Sequence, residues 1–201
     1  VTTIETRSIG DSIALTGTVQ AQTEINESFR IGGRLIERNV EIGDTVRPGQ
    51  VLARLDPQNE ESSLQAARAQ LVAAQAQLVE ARNNHTRMSD LVAENAVSRA
   101  AFDQAVAVLQ TAESQVNSAR ASVNLAENRL SYTQLHATAA GLVTARGAEP
   151  GEVVGAGSMV VQVAREGARD AVFDVPAQVK DSAARRTSIT VALVDDPKIT
   201  A

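Results

Sequence analysis

The sequence predicts an elongated α+β chain in which a small β-sandwich, made of two separated halves, is interrupted by a long antiparallel coiled-coil hairpin. A partial β-barrel module is expected from the two chain ends. Three observations predict this. Residues 33–55 overlie residues 141–163 at a constant offset of 108, residues 57–131 carry heptad spacing in two runs, and both ends of the 201-residue chain alternate like strands. The expected division is 1–24 for the N-terminal strands of a β-rich end module, 25–56 for the first sandwich half, 57–131 for the hairpin, 132–165 for the second half and 166–201 for the partial barrel.

In the repeat, Gly33, Gly43 and Gly49 fall on Gly141, Gly151 and Gly157, Asp44 meets Glu152, Val46 meets Val154 and Leu55 meets Val163, without a gap. Glycine allows the positive φ that tight turns between short strands need, so all six are read as structural turn glycines. Neither half holds enough apolar residues to bury a face alone, so the two halves are expected to pair into one sandwich. The segment between them must then leave and return at nearby points, as a helical hairpin does.

Asp56 is a good N-cap, Pro57 suits the first helical position, and Glu60 with Glu61 adds favourable charge to the first turn. Leu64, Leu71, Leu78, His85 and Val92 lie seven apart, and Ala67, Ala74, Ala81 and Met88 form the second seam position. After a break at 93–97, Ser98 caps a second helix. Its seam runs through Phe102, Leu109, Val116, Val123 and Leu130, with alanine at 105, 112, 119 and 126. The short connection makes the helices antiparallel, and the alternating alanines let their axes come close. At 1.5 Å per residue each arm reaches about 50 Å. The other faces are rich in Gln, Glu, Arg, Asn and Ser and offer no second broad apolar stripe, so the hairpin reads as a projecting rod.

At the flanks, Ile4, Ile13, Leu15 and Val19 are candidate inward strand positions, residues 171–175 and 188–194 alternate likewise, and 179–186 suits a short helix. Too few strands are present to close a barrel, so further strands are expected beyond Ala201. Val1 does not open a signal peptide, and a leader or lipid anchor would lie upstream.

Composition narrows the function. One Tyr, three Phe and no Trp argue against a bulky globular core, and the absence of cysteine removes disulfides and thiolate metal sites. A net charge of −5 without a basic stripe argues against nucleic acid as a partner. No run of about 18 apolar residues exists to span a membrane. His85 on the seam and His136 at the return to the sandwich have no ligand-spaced partners, so structural roles are expected for both and no metal or cofactor is implied. Paired acids such as Glu60 with Glu61 or Asp195 with Asp196 are sequence neighbours that do not face one another, and no nucleotide-binding glycine pattern opens a helix. An enzyme is not expected.

The run GRLIERNVEIGDTVRPGQVLARLDP, the paired heptads and YTQLHATAAGLVTARGAEPGEVV together resemble the HlyD-like membrane fusion proteins, or periplasmic adaptors, of resistance–nodulation–division (RND) efflux pumps. The resemblance covers essentially the whole chain. It implies a split lipoyl-like sandwich, flanks that belong to a β-barrel and a membrane-proximal domain, with residues 1–24 supplying strands to them, and a hairpin tip that engages a TolC-like outer-membrane channel. It further implies an inner-membrane RND transporter as partner, self-association into a ring, and a periplasmic location attached to the inner membrane. The family's tip signature is an Arg, a Leu four residues on and a Ser seven residues after that, which Arg87, Leu91 and Ser98 match. The resemblance thus implies that these three contact the channel. In HATAAG, Thr138 and Ala140 stand where the family commonly has Pro and an acidic residue. A lipoate or biotin carrier would need a lysine on the sandwich, and the only lysines are Lys180 and Lys198. The remaining alternatives are an adaptor of an ABC-type efflux or type I secretion system, and a self-associating coiled-coil scaffold.

Overall fold

The computed structural model describes residues 16–174. The expected strand positions Ile4, Ile13 and Leu15, the strand over 188–194 and the helix over 179–186 lie outside the described residues, as do both lysines. Gly17–Ala21 (β1) and Arg169–Phe173 (β10) pair as an antiparallel ribbon, with Gly17 opposite Phe173 and Ala21 opposite Arg169. This ribbon belongs to one of two compact units, and residues 25–164 make up the other.

The strands Glu24–Ser28 (β2), whose first residue precedes the larger unit, Gly33–Arg38 (β3), Thr45–Val46 (β4) and Val51–Leu55 (β5) open it. Helices Gln58–Ala93 (α1) and Arg99–Ser131 (α2) follow. Gln134–His136 (β6), Gly141–Arg146 (β7), Val153–Val154 (β8) and Met159–Arg165 (β9) complete it. The strands form two four-stranded sheets, ordered β2-β9-β7-β4 and β6-β5-β3-β8. Each half therefore supplies strands to both sheets, and the offset of 108 turns one sheet into the other. The hydrogen bonds obey the same exchange. Gly43 N–H donates to the Val143 carbonyl at 2.9 Å, and Gly151 N–H donates to the Leu35 carbonyl at 2.7 Å. A half alone would leave these groups unpaired, which is why the repeat folds as a pair.

The core is likewise duplicated. Leu35 and Val143, Val46 and Val154, Leu52 and Val160, and Leu55 and Val163 are all buried in one cluster, and no helix residue joins it. The glycines divide into two kinds. Gly43 and Gly151 have φ of 97° and 99°, and Gly49 and Gly157 have 79° and 80°, so these four are turn glycines by backbone conformation. Gly33 and Gly141 correct the expectation: both open strands and neither has positive φ. They are small because of crowding. A Cβ on Gly141 would run into the Ala164 carbonyl and the Val163 side chain, and one on Gly33 would meet Leu55 at 3.2 Å.

The hairpin leaves and returns through one hydrogen-bonded point, where Leu55 N–H donates to the Thr133 carbonyl at 2.8 Å. The start lies one residue later than expected: Pro57, not Asp56, is the N-cap, and the Asp56 carboxylate just before it accepts from Gln58 N–H at 3.1 Å. The seam positions pack in successive clusters: Leu64 with Val123 and Ala126, then Ala74 with Val116 and Ala119. The outward faces are less uniformly polar than expected. Val72 and Val79 are exposed one heptad apart on α1, and Val106, Val108 and Leu125 are exposed on α2. Among the described residues no helix is long and apolar enough to cross a membrane.

Candidate functional site: the hairpin tip

The tip is built by two terminators. At the end of α1, Asn95 adopts φ of 59°. Its N–H donates to the Val92 carbonyl at 3.0 Å, and Ala96 N–H donates to the Leu91 carbonyl at 2.8 Å. These two bonds form a Schellman cap with asparagine in the left-handed position that glycine usually takes. Four residues, Glu94–Val97, precede the second terminator. Ser98 sits in extended backbone and its Oγ accepts from Ala101 N–H at 3.2 Å, which makes it the N-cap of α2. The sharp bend follows from these local bonds.

Each tip residue expected from the sequence has a distinct setting. Arg87 is exposed, and no hydrogen bond or ion pair holds it among the described residues. Leu91 is half-buried, its carbonyl used by the cap. Four residues apart on α1, the two share one helical face. Ser98 is exposed but has its hydroxyl engaged in capping, so what it offers a partner is mainly its position on the returning strand of the bend. Arg87 itself lines a groove of about 540 Å³ along the hairpin, with Glu80, Asn84, Gln104 and Thr111 in its walls. The interhelix pairs Arg68–Glu127 at 2.9 Å and Arg82–Glu113 at 3.9 Å are not part of its lining.

At the hairpin root the structure shows features the sequence reading missed. Glu27 is 4% exposed, and its carboxylate accepts from both the N–H and the hydroxyl of Thr138 at 2.8 and 2.7 Å. Thr138, the departure from the family pattern in HATAAG, is thus satisfied by an acid 111 residues earlier. Arg30 lies over the ring of Tyr132, 5.2 Å from its centroid, against the end of α2. His136 is exposed on β6 and shares the lining of a cleft of about 460 Å³ with Arg30 and Tyr132.

A second missed feature is a ring of four charges across the two halves. Arg38 bonds Glu41 at 3.2 Å and Glu149 at 3.0 Å, and Arg146 bonds the same two acids at 3.2 and 3.3 Å. Arg38 and Arg146 are 108 apart, as are Glu41 and Glu149, yet the Arg38 side chain is 3% exposed and that of Arg146 is 46% exposed. Burial works against the Arg38 charge, but hydrogen bonds and charge from Glu41 and Glu149 outweigh it, so its pKa lies above the ordinary arginine value. The repeat offset alone contained the signal for this ring, since it places like charges on like positions.

The family described as RND MFP, alpha-helical hairpin domain, matches residues 63–133, a stretch that contains the whole tip. The chain is 48% identical over 59 residues to the UPF0194 membrane protein YbhG of Salmonella typhimurium, which is 29% of this chain and 18% of that protein. The matched stretch therefore spans less than a fifth of the length of this curated relative. MacA from Actinobacillus actinomycetemcomitans shares the fold with a TM-score of 0.70 at 22% identity, covering 94% of this chain and 63% of that one. The membrane fusion protein Spr0693 from Streptococcus pneumoniae R6 does so with a TM-score of 0.59 at 20% identity, covering 74% of this chain and 64% of that one.

Proposed function

We propose, for a chain whose residues 63–133 match the family described as RND MFP, alpha-helical hairpin domain, that it is a periplasmic adaptor of a tripartite efflux pump. In this reading the hairpin tip docks on a TolC-like outer-membrane channel, and the β modules carry the contact with an inner-membrane RND transporter. The protein is held at the inner membrane, and several copies stand side by side around the pump axis. The transporter supplies the energy, and the adaptor supplies reach and fit.

One observation carries the reading. A 36-residue helix, about 54 Å long at 1.5 Å per residue, carries in its last two turns an exposed arginine with no partner among the described residues and, four residues on, a leucine only half covered by the hairpin. An unpaired guanidinium beside a half-exposed apolar side chain is the pairing that anchors protein interfaces. The test places cysteines at Arg87 and, as a mid-rod control, at Glu113, in separate variants. Cross-linking should capture the channel from position 87 and not from 113. In the otherwise unaltered chain, Arg87→Asp should cut co-purification of the channel at least tenfold, equivalent to about 1.4 kcal/mol or more, with unchanged helix content. Capture at 113 alone, or full efflux with Arg87→Asp, would overturn tip docking and favour the self-associating scaffold.

A further inference from the structure

Among the described residues Asn95 is the one non-glycine residue with positive φ, at 59°, and it stands at the tip. A side chain in this left-handed region costs free energy that glycine escapes, so the conformation persists only where its surroundings reward it. The reward here is two backbone bonds. Asn95 N–H donates to the Val92 carbonyl at 3.0 Å, and Ala96 N–H donates to the Leu91 carbonyl at 2.8 Å. The second bond ties the bend directly to Leu91, the apolar half of the pair proposed to dock. On the far side Ser98 caps α2 through its Oγ, so Glu94–Val97 alone remain to be placed, and Asn95 sets their direction.

The Asn95 side chain contributes no bond to this arrangement. It is exposed, and its amide makes no hydrogen bond among the described residues. What the residue supplies is tolerance of the left-handed region, where a β-branched side chain is an outlier. Without the cap, the last turn of α1 loses partners for its carbonyls and frays, and Leu91 lies in that turn. A partner that fits the ordered tip then meets it less often, and apparent affinity falls with the fraction of chains that hold it.

We propose that Asn95 is a positioning residue for docking. It recognises nothing on the channel; it locks the last turn of α1 and the bend in the arrangement that presents Leu91 beside Arg87. The role rests on the tip-docking reading.

The test titrates the full chain against a purified TolC-like outer-membrane channel in detergent, as the unaltered protein and as Asn95→Gly, Asn95→Val and Arg87→Asp. Amide exchange is followed in each over 90–101 at the tip and over 62–75 at the root. Asn95→Gly keeps a residue suited to positive φ and removes the side chain, so Kd should stay within about twofold and tip exchange should not rise. Asn95→Val puts a β-branched residue at the same place, so Kd should rise about fivefold or more, with faster exchange at the tip and none at the root. An unchanged Kd in Asn95→Val overturns the proposal. So does an equal loss in Asn95→Gly, which makes the amide a contact, and so does a weakened Asn95→Val with unchanged tip exchange, which makes the loss a clash. Arg87→Asp separates the two readings. If it loses binding while Asn95→Val keeps it, docking stands and positioning falls. If Arg87→Asp binds at full strength, or the unaltered chain does not bind, docking falls and takes the positioning role with it.

Discussion

The sandwich and the hairpin reach order by opposite means. In the sandwich, Leu35, Leu52, Val46 and Val160 are each 0% exposed, and the bonds that matter join residues about a hundred positions apart. In the hairpin the most buried seam residues are mainly alanines and valines, while Leu71, Leu78, Leu109 and Phe102 stay half-covered because two helices alone enclose only one side of a seam. A thin rod gives up burial for reach. The sandwich, being closed, tolerates less change, and the rod can be altered along its length with graded effects.

The largest expected effect tests that contrast directly. Leu35→Ala should lower stability by about 2–5 kcal/mol, the usual range for a cavity in a closed core, while Leu71→Ala in the half-covered seam should cost about 1 kcal/mol. Urea titrations followed by helix ellipticity and by the fluorescence of Tyr132, the single tyrosine at the hairpin root, would measure both. Similar losses at the two sites would break the comparison.

Next in size are the turn glycines. Gly43→Ala and Gly151→Ala should each cost about 1–2 kcal/mol through left-handed strain, and by nearly equal amounts because their φ angles differ by only 2° (97° and 99°). A clear inequality in the same titrations would show that the two halves are not energetically equivalent. The smallest effect is at the tip, where Ser98→Ala should cost about 1 kcal/mol or less, seen as faster amide exchange over 99–103 with little change elsewhere. A loss spread through the sandwich would mean that rod and sandwich fold as one cooperative block.

Much of the fold was legible because its signals are local or periodic. The heptads placed both helices, Ser98 was readable as an N-cap, and the offset of 108 paired β3 with β7, β4 with β8 and β5 with β9 as equivalents. The tip cap was not legible because it uses Asn95, a residue that tolerates positive φ but in most positions does not adopt it. Gly33 and Gly141 were assigned to turns because a glycine's two uses, positive φ and close approach, look the same in a sequence.

By itself the sequence determined that there would be two like half-modules with a paired-helix spike between them, while Arg87, Leu91 and Ser98 were marked at the bend only by the resemblance to the family's tip signature. Period, propensity and repetition are properties of neighbouring residues, so they survive in one dimension. Only the tertiary structure decided that Arg38 would be buried while its counterpart Arg146 stayed in solvent, that Glu27 would receive Thr138, and that His85 would face Phe102. Burial and pairing depend on what distant segments bring to the same place, and equivalent positions in a repeat become unequal as soon as their surroundings differ.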